Sequence, residues 1–160
     1  MNSKLFDGAW VVVMRNGVQF PKKINGFCTE NETKLYLLSG DTEYTREQSI
    51  GRITLGDKIL VGNGYERTLS DEGDVCYYTS PNKRIIVYPN LHGNSNHLWD
   101  VHIDNCDMDT LARLELTFVD QLQFMLPVCE MEDDFVVKQE WIMAEDDITY
   151  YEKQTTNGSR

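Results

Sequence analysis

One stretch constrains the fold of this chain more than any other: residues 114–126 have the pattern of a strand that runs into a short amphipathic helix. Thr117 is a good N-cap residue, and Asp120 follows it at a spacing close to that of a capping box. The apolar residues then recur with the period of one helix face, at Phe118, Val119, Leu122, Met125 and Leu126. Because Pro127 cannot continue a helix, the pattern predicts a helix over residues 117–126.

The first fifty residues have the pattern of short β-strands. Residues 9–14 are rich in β-branched side chains, and the Asn16-Gly17 pair that follows is the strongest short signal for a type I′ hairpin turn. Further strands are predicted at residues 20–28, 34–38 and within 43–53. This spacing favours a small β-barrel over residues 1–53, preferably an SH3-like barrel, with an open meander as the alternative.

Residues 54–129 predict a second unit. Thr54, Asp57 and Gly64 delimit a short helix over residues 54–64. Four strands are then predicted, at residues 74–79, 84–88, 99–104 and 112–116, with a turn at residues 80–83 between the first two. The clearest pattern is in the third strand, where Trp99, Val101 and Ile103 alternate with polar residues. The expected fold class is therefore α+β, mostly β: a small SH3-like barrel followed by an antiparallel sheet capped by the 117–126 helix.

Charge is distributed unevenly along the chain. The net charge is −11, with 26 acidic and 15 basic side chains. Residues 1–100 carry 12 acidic and 11 basic side chains, whereas residues 101–160 carry 14 acidic and 4 basic ones. This potential repels phosphate backbones, so nucleic-acid binding is not expected except through a local patch.

Residues 130–160 are expected to form an acidic tail with a disordered end. Within the tail, residues 135–137 and 141–143 are apolar enough to add a strand or to dock on the body. No apolar run approaches the length of a membrane span, and the first residues lack a signal-peptide pattern. We therefore expect a cytoplasmic protein without a membrane interaction.

Three histidines are the candidate metal ligands: His92, His97 and His102 are separated by four residues each, a spacing found in zinc sites. Asp104 and Cys106 lie near them in the sequence. Because two of the histidines fall in or beside a Gly/Asn/Ser loop, the preferred interpretation is that all three are surface residues, and no metal or cofactor is expected. The four scattered cysteines are expected to be free thiols: Cys28, Cys76, Cys106 and Cys129.

Two acidic clusters are candidate protein-binding residues: Glu132, Asp133, Asp134, Glu145, Asp146 and Asp147. They lack the alternating ligands and glycine of a calcium loop, so solvated faces are the simpler interpretation, and a charge array that mimics nucleic acid is the alternative. The chain also lacks a P-loop and a nucleophile elbow. No catalytic constellation is present in the sequence, and the protein is not expected to be an enzyme.

Several short motifs resemble a known group of proteins. In order they are Leu5-x-x-Gly8-x-Trp10-Val11, a Thr54-Leu55 helix, Trp99-x-Val101-His102-Ile103, and Val119-Asp120-Gln121-Leu122-Gln123. This order resembles small uncharacterised proteins encoded by phages and mobile elements of gut bacteria. In those proteins a histidine commonly stands at the position of Asp120, and an asparagine at that of Phe124. The resemblance implies a fold and a genomic setting rather than an activity.

These observations favour a non-enzymatic interaction protein, accessory to a phage or mobile element, that binds a protein partner of unknown identity. A nucleic-acid-binding module is one alternative, since residues 1–53 carry 7 basic and 6 acidic side chains. A metal-dependent enzyme that uses the three histidines is the other.

Overall fold

The computed structural model of the chain describes residues 5–90, 96–104, 110–132 and 134–142. Within these ranges the fold is mostly β, as predicted, and consists of two five-stranded antiparallel sheets and two short α-helices. The first sheet contains β1 (Trp10–Arg15), β2 (Val18–Glu30), β3 (Thr33–Leu38), β4 (Tyr44–Arg46) and β5 (Ile50–Arg52). After α1 (Asp57–Gly62), the second sheet contains β6 (Glu66–Leu69), β7 (Val75–Thr79), β8 (Ile85–Pro89), β9 (Trp99–Asp104) and β10 (Thr110–Leu116), and α2 (Val119–Met125) follows it.

The first sheet has the strand order β4-β3-β2-β1-β5. Its first hairpin turns at Asn16 and Gly17, whose φ angles of 52° and 77° confirm the predicted type I′ turn. The long strand β2 changes register against β3 between Ile24 and Gly26, and such a bulge bends a strand. The predicted strand within 43–53 is divided into β4 and β5 by a 3-10 turn. No pairing joins β4 to β5 among the described residues, so a closed barrel is not observed.

The second sheet is a meander with the order β10-β9-β8-β7-β6. The predicted alternation along β9 is confirmed at Trp99, Val101 and Ile103, which are buried. Asp104, one of the polar residues that alternate with them, is nevertheless buried, at only 5% exposed. The sheet also has five strands rather than the predicted four, because the polar segment Glu66–Leu69 pairs with β7.

Both helices begin later than predicted. In α1 the first helical residue is Asp57, and Thr54 instead forms an isolated bridge with Phe118. In α2 the first helical residue is Val119, and the predicted cap, Thr117, does not cap it. The side chain of Gln121 accepts hydrogen bonds from the backbone N–H groups of Thr117 and Phe118, at 2.8 and 2.9 Å, so glutamine and not Asp120 completes the helix start.

The start of α2 joins the two sheets. The backbone N–H of Leu55 donates to Thr117, and that of Val119 donates to Ile53, each at 2.9 Å. Within the helix, the side chain of Gln123 accepts a hydrogen bond from the backbone N–H of Trp10 at 2.9 Å and donates one to the carbonyl of Gly8 at 3.0 Å. The larger of two apolar clusters is formed by the second sheet and the helices, and the smaller one by the first sheet. Helix α2 belongs to the larger cluster, and its Phe124 also packs on Phe6 beside the smaller one.

Candidate functional site

The segment that follows α2 docks on the body of the protein. Phe135 and Val137 are each only 3% exposed, and the indole N–H of Trp10 donates to the Phe135 carbonyl at 2.7 Å. The side chain of Asn63 binds both backbone groups of Val136, at 2.8 Å each. Of the two predicted alternatives, the described residues 134–142 therefore dock without adding a strand to a sheet. Residues 143–160, including the predicted disordered end, lie outside the described part of the chain.

Between this segment, the end of α2 and the turn before β8 lies a hollow of about 260 Å³. Its apolar lining comes from five residues in three separate stretches of the sequence: Tyr65, Pro81, Leu126, Met131 and Phe135. Its lining also contains three carboxylates of the docked segment: Glu130, Glu132 and Asp134. We call this feature the acidic hollow. It combines a hydrophobic surface with negative charge within a single concavity.

The carboxylates of the acidic hollow are accessible to solvent. Glu130 is 79% exposed and lies 3.3 Å from the guanidinium of Arg84, a partly exposed contact of small energetic value. Glu132 and Asp134 are also exposed, and neither forms an ion pair with another described residue. Of the predicted protein-binding residues, these two therefore lie together, whereas Asp133, Glu145, Asp146 and Asp147 lie outside the described residues.

Tyr65 adds a buried polar group to the lining. It is 3% exposed, and its hydroxyl has no hydrogen-bond partner among the residues described. Burial raises the pKa of this phenol well above its usual value, so the group is a neutral donor at physiological pH. A buried hydroxyl without a partner costs about 1–3 kcal/mol, and this cost would be relieved by a polar atom that reached it. Sequence reasoning missed Tyr65 because nothing local distinguishes it from a core tyrosine.

Of the three histidines named in the sequence, His97 and His102 lie within the described residues, and they have different neighbours. His97 lies beside two carboxylates, with Nε2 at 2.8 Å from Asp100 Oδ1 and Nδ1 at 3.5 Å from Glu115 Oε2. The ring of His102 instead packs on the ring of Tyr88, with centroids 4.8 Å apart. His92 and Cys106 lie outside the described ranges. In the described part of the chain, His97, Asp100 and Glu115 form the single cluster of three potential metal ligands.

The carboxylate of Asp120 has a structural partner. It is 1% exposed and accepts two hydrogen bonds from Arg52, at 3.0 Å from Nε and 2.7 Å from Nη2. The same guanidinium lies over the ring of Phe118, 4.3 Å from its centroid. Asp120 was predicted to cap α2, and this was wrong: it forms a buried ion pair between α2 and β5.

No protein-family model, curated protein or solved structure matches this chain. The resemblance to phage-encoded proteins therefore stays a prediction. None of the helices in the described residues is long and apolar enough to cross a membrane.

Proposed function

We propose that this protein is a non-enzymatic interaction protein that binds a basic segment of a protein partner in the acidic hollow. The observation that carries the proposal is the arrangement of Glu130, Glu132 and Asp134 beside an apolar surface on a segment that is docked on the core. The origin in a phage or mobile element and the cytoplasmic location belong to the same proposal, and the neighbouring genes would test the former.

The chemistry of the hollow suits a lysine side chain. Lysine carries a four-carbon apolar stem that ends in a compact ammonium group with three donors. The stem matches the surface formed by Tyr65, Pro81 and Phe135, and the ammonium group matches the neighbouring carboxylates. The net charge of −11 would also steer a basic partner toward the protein.

The docked segment lowers the cost of binding. A disordered acidic tail would lose conformational entropy when a partner ordered it. Here Phe135 and Val137 are already buried, and the backbone of Val136 is already held by Asn63. The carboxylates around them are therefore presented on an ordered backbone before the partner arrives.

Fluorescence anisotropy with a labelled peptide of alternating lysine and glycine tests the proposal. The triple variant Glu130→Gln, Glu132→Gln, Asp134→Asn removes three exposed charges, each worth about 0.5 kcal/mol, so affinity should fall about tenfold. The matched control is Asp71→Asn, Glu72→Gln, Asp74→Asn, which changes the net charge equally at an exposed turn and should leave affinity nearly unchanged. Equal losses of affinity in the two variants would contradict a specific site, because they would show that the peptide responds only to the net charge of the protein. Absence of binding by the unmodified protein would contradict the proposal.

We further propose that the first sheet is an SH3-like barrel. Its strand order, β4-β3-β2-β1-β5, the 3-10 turn between β4 and β5, and the register shift in β2 support this assignment. An experimental structure in which the sheet stays open, without packing between its ends, would contradict it.

A further inference from the structure

A second group of chemically active side chains lies on the second sheet, outside the acidic hollow. The imidazole of His97 lies next to the carboxylates of Asp100 and Glu115, and one ligand atom from each residue lies within 4.8 Å of the other two. We call these three residues the histidine–carboxylate cluster. Nitrogen and oxygen ligands of this kind are those used by Zn²⁺ and neighbouring divalent transition metals.

Two carboxylates face each other on the sheet, so a cation between them would reduce their repulsion. Asp100 on β9 is the direct register partner of Glu115 on β10. Side chains that face each other across antiparallel strands lie close together, and like charges in this position destabilise a sheet. The nearest described group that can carry positive charge between them is the imidazole of His97, which contacts both carboxylates.

An ion would have access to the cluster. His97 and Glu115 line an open groove of about 680 Å³, together with Arg113 and the start of α2. Glu115 is 74% exposed at its side chain, and Asp100 is 33% exposed. Solvent can therefore fill the remaining coordination positions of a metal held by three protein ligands.

We propose that the histidine–carboxylate cluster binds one divalent transition-metal ion through one imidazole nitrogen and one oxygen from each carboxylate. Ligands about 2.0–2.1 Å from a tetrahedral ion lie about 3.3 Å from one another, so the present separations need to change by about 1.5 Å at most. The exposed side chain of Glu115 is free to make most of this adjustment. The ion supplies positive charge between the paired carboxylates, and the imidazole provides its nitrogen ligand. This ligand set shares only His97 with the three histidines singled out in the sequence, and the proposal does not depend on the acidic hollow.

Isothermal titration calorimetry with ZnCl₂ tests the site on the full, metal-stripped chain without an affinity tag. We expect a site of one ion per chain that weakens about tenfold or more in His97→Ala and in Glu115→Gln, since loss of a supporting residue alone costs 10–100-fold at metal sites. His102→Ala is the matched control, because this histidine lies on β9, the strand of Asp100, and packs on Tyr88 instead. Its affinity should equal that of the unmodified protein.

Two results would overturn the proposal. One is the absence of a stoichiometric zinc site in the unmodified protein, which would leave the cluster as three side chains in contact without a bound ion. The other is equal zinc binding by His97→Ala and His102→Ala, which would place the ion elsewhere, for example at the exposed thiol of Cys76. Because Glu115 is largely exposed, Glu115→Gln keeps the test valid even if His97→Ala fails to fold.

Discussion

Loss of either partner of the ion pair between Asp120 and Arg52 should destabilise the junction of the two sheets. Asp120 is 1% exposed, whereas the side chain of Arg52 is 23% exposed, so the two members of the pair are not equivalent. Removing one partner of a buried pair typically costs about 3–5 kcal/mol because the other charge stays buried without compensation. Arg52→Met should fall in this range, because it leaves the enclosed carboxylate without its cation. Asp120→Asn should cost less, about 2–3 kcal/mol, because the guanidinium keeps access to water.

Urea denaturation at neutral pH measures these costs as free energies of unfolding. The double variant Arg52→Met, Asp120→Asn removes both charges, and its cost should be smaller than the sum of the single costs by about 2 kcal/mol. The single and double variants together form a cycle that isolates the pairwise interaction from the packing of Arg52 on Phe118. Additive costs, or a larger cost for Asp120→Asn than for Arg52→Met, would refute this account of the junction.

Two further predictions concern the close approach of Gly62 to Trp141 and the ion pair between Asp57 and Arg67. Gly62→Ala should destabilise the protein by about 1–3 kcal/mol and change its tryptophan fluorescence, because the new Cβ would overlap the indole ring of Trp141. This loss is expected although alanine favours helices. Gly26→Ala, whose Cβ meets no atom within 4 Å, should show neither effect in the same urea and fluorescence measurements. Hydrogen bonding from Arg67 lowers the pKa of Asp57 below its ordinary value of 3.8, so this carboxylate stabilises the fold above about pH 4 and the contribution is lost as pH falls through the lowered pKa. In acid titrations followed by circular dichroism, Asp57→Asn should therefore lose less stability between about pH 5 and pH 2 than the unmodified protein, and an identical acid loss would contradict the assignment.

Local chemistry made several parts of the fold predictable. The two positive φ angles at Asn16 and Gly17 follow from residue types that tolerate them, and the alternation of Trp99, Val101 and Ile103 follows from the two-residue period of a strand. A strand such as Glu66–Leu69 was missed because it is short, polar and at the edge of its sheet. The segment pairs with β7 through its backbone, and its side chains show no apolar alternation that would reveal a strand.

The sequence by itself determined the mostly β class, the principal turns and the acidic character of the C-terminal part, since each depends on neighbouring residues or on composition. Only the tertiary structure decided which distant groups meet. Asp120 finds Arg52 across 68 positions, and Asp100 meets Glu115 through the register of two strands. The hollow beside Tyr65 arises where three separate stretches of the sequence pack together. Such sites depend on long-range packing, which local periodicity does not encode.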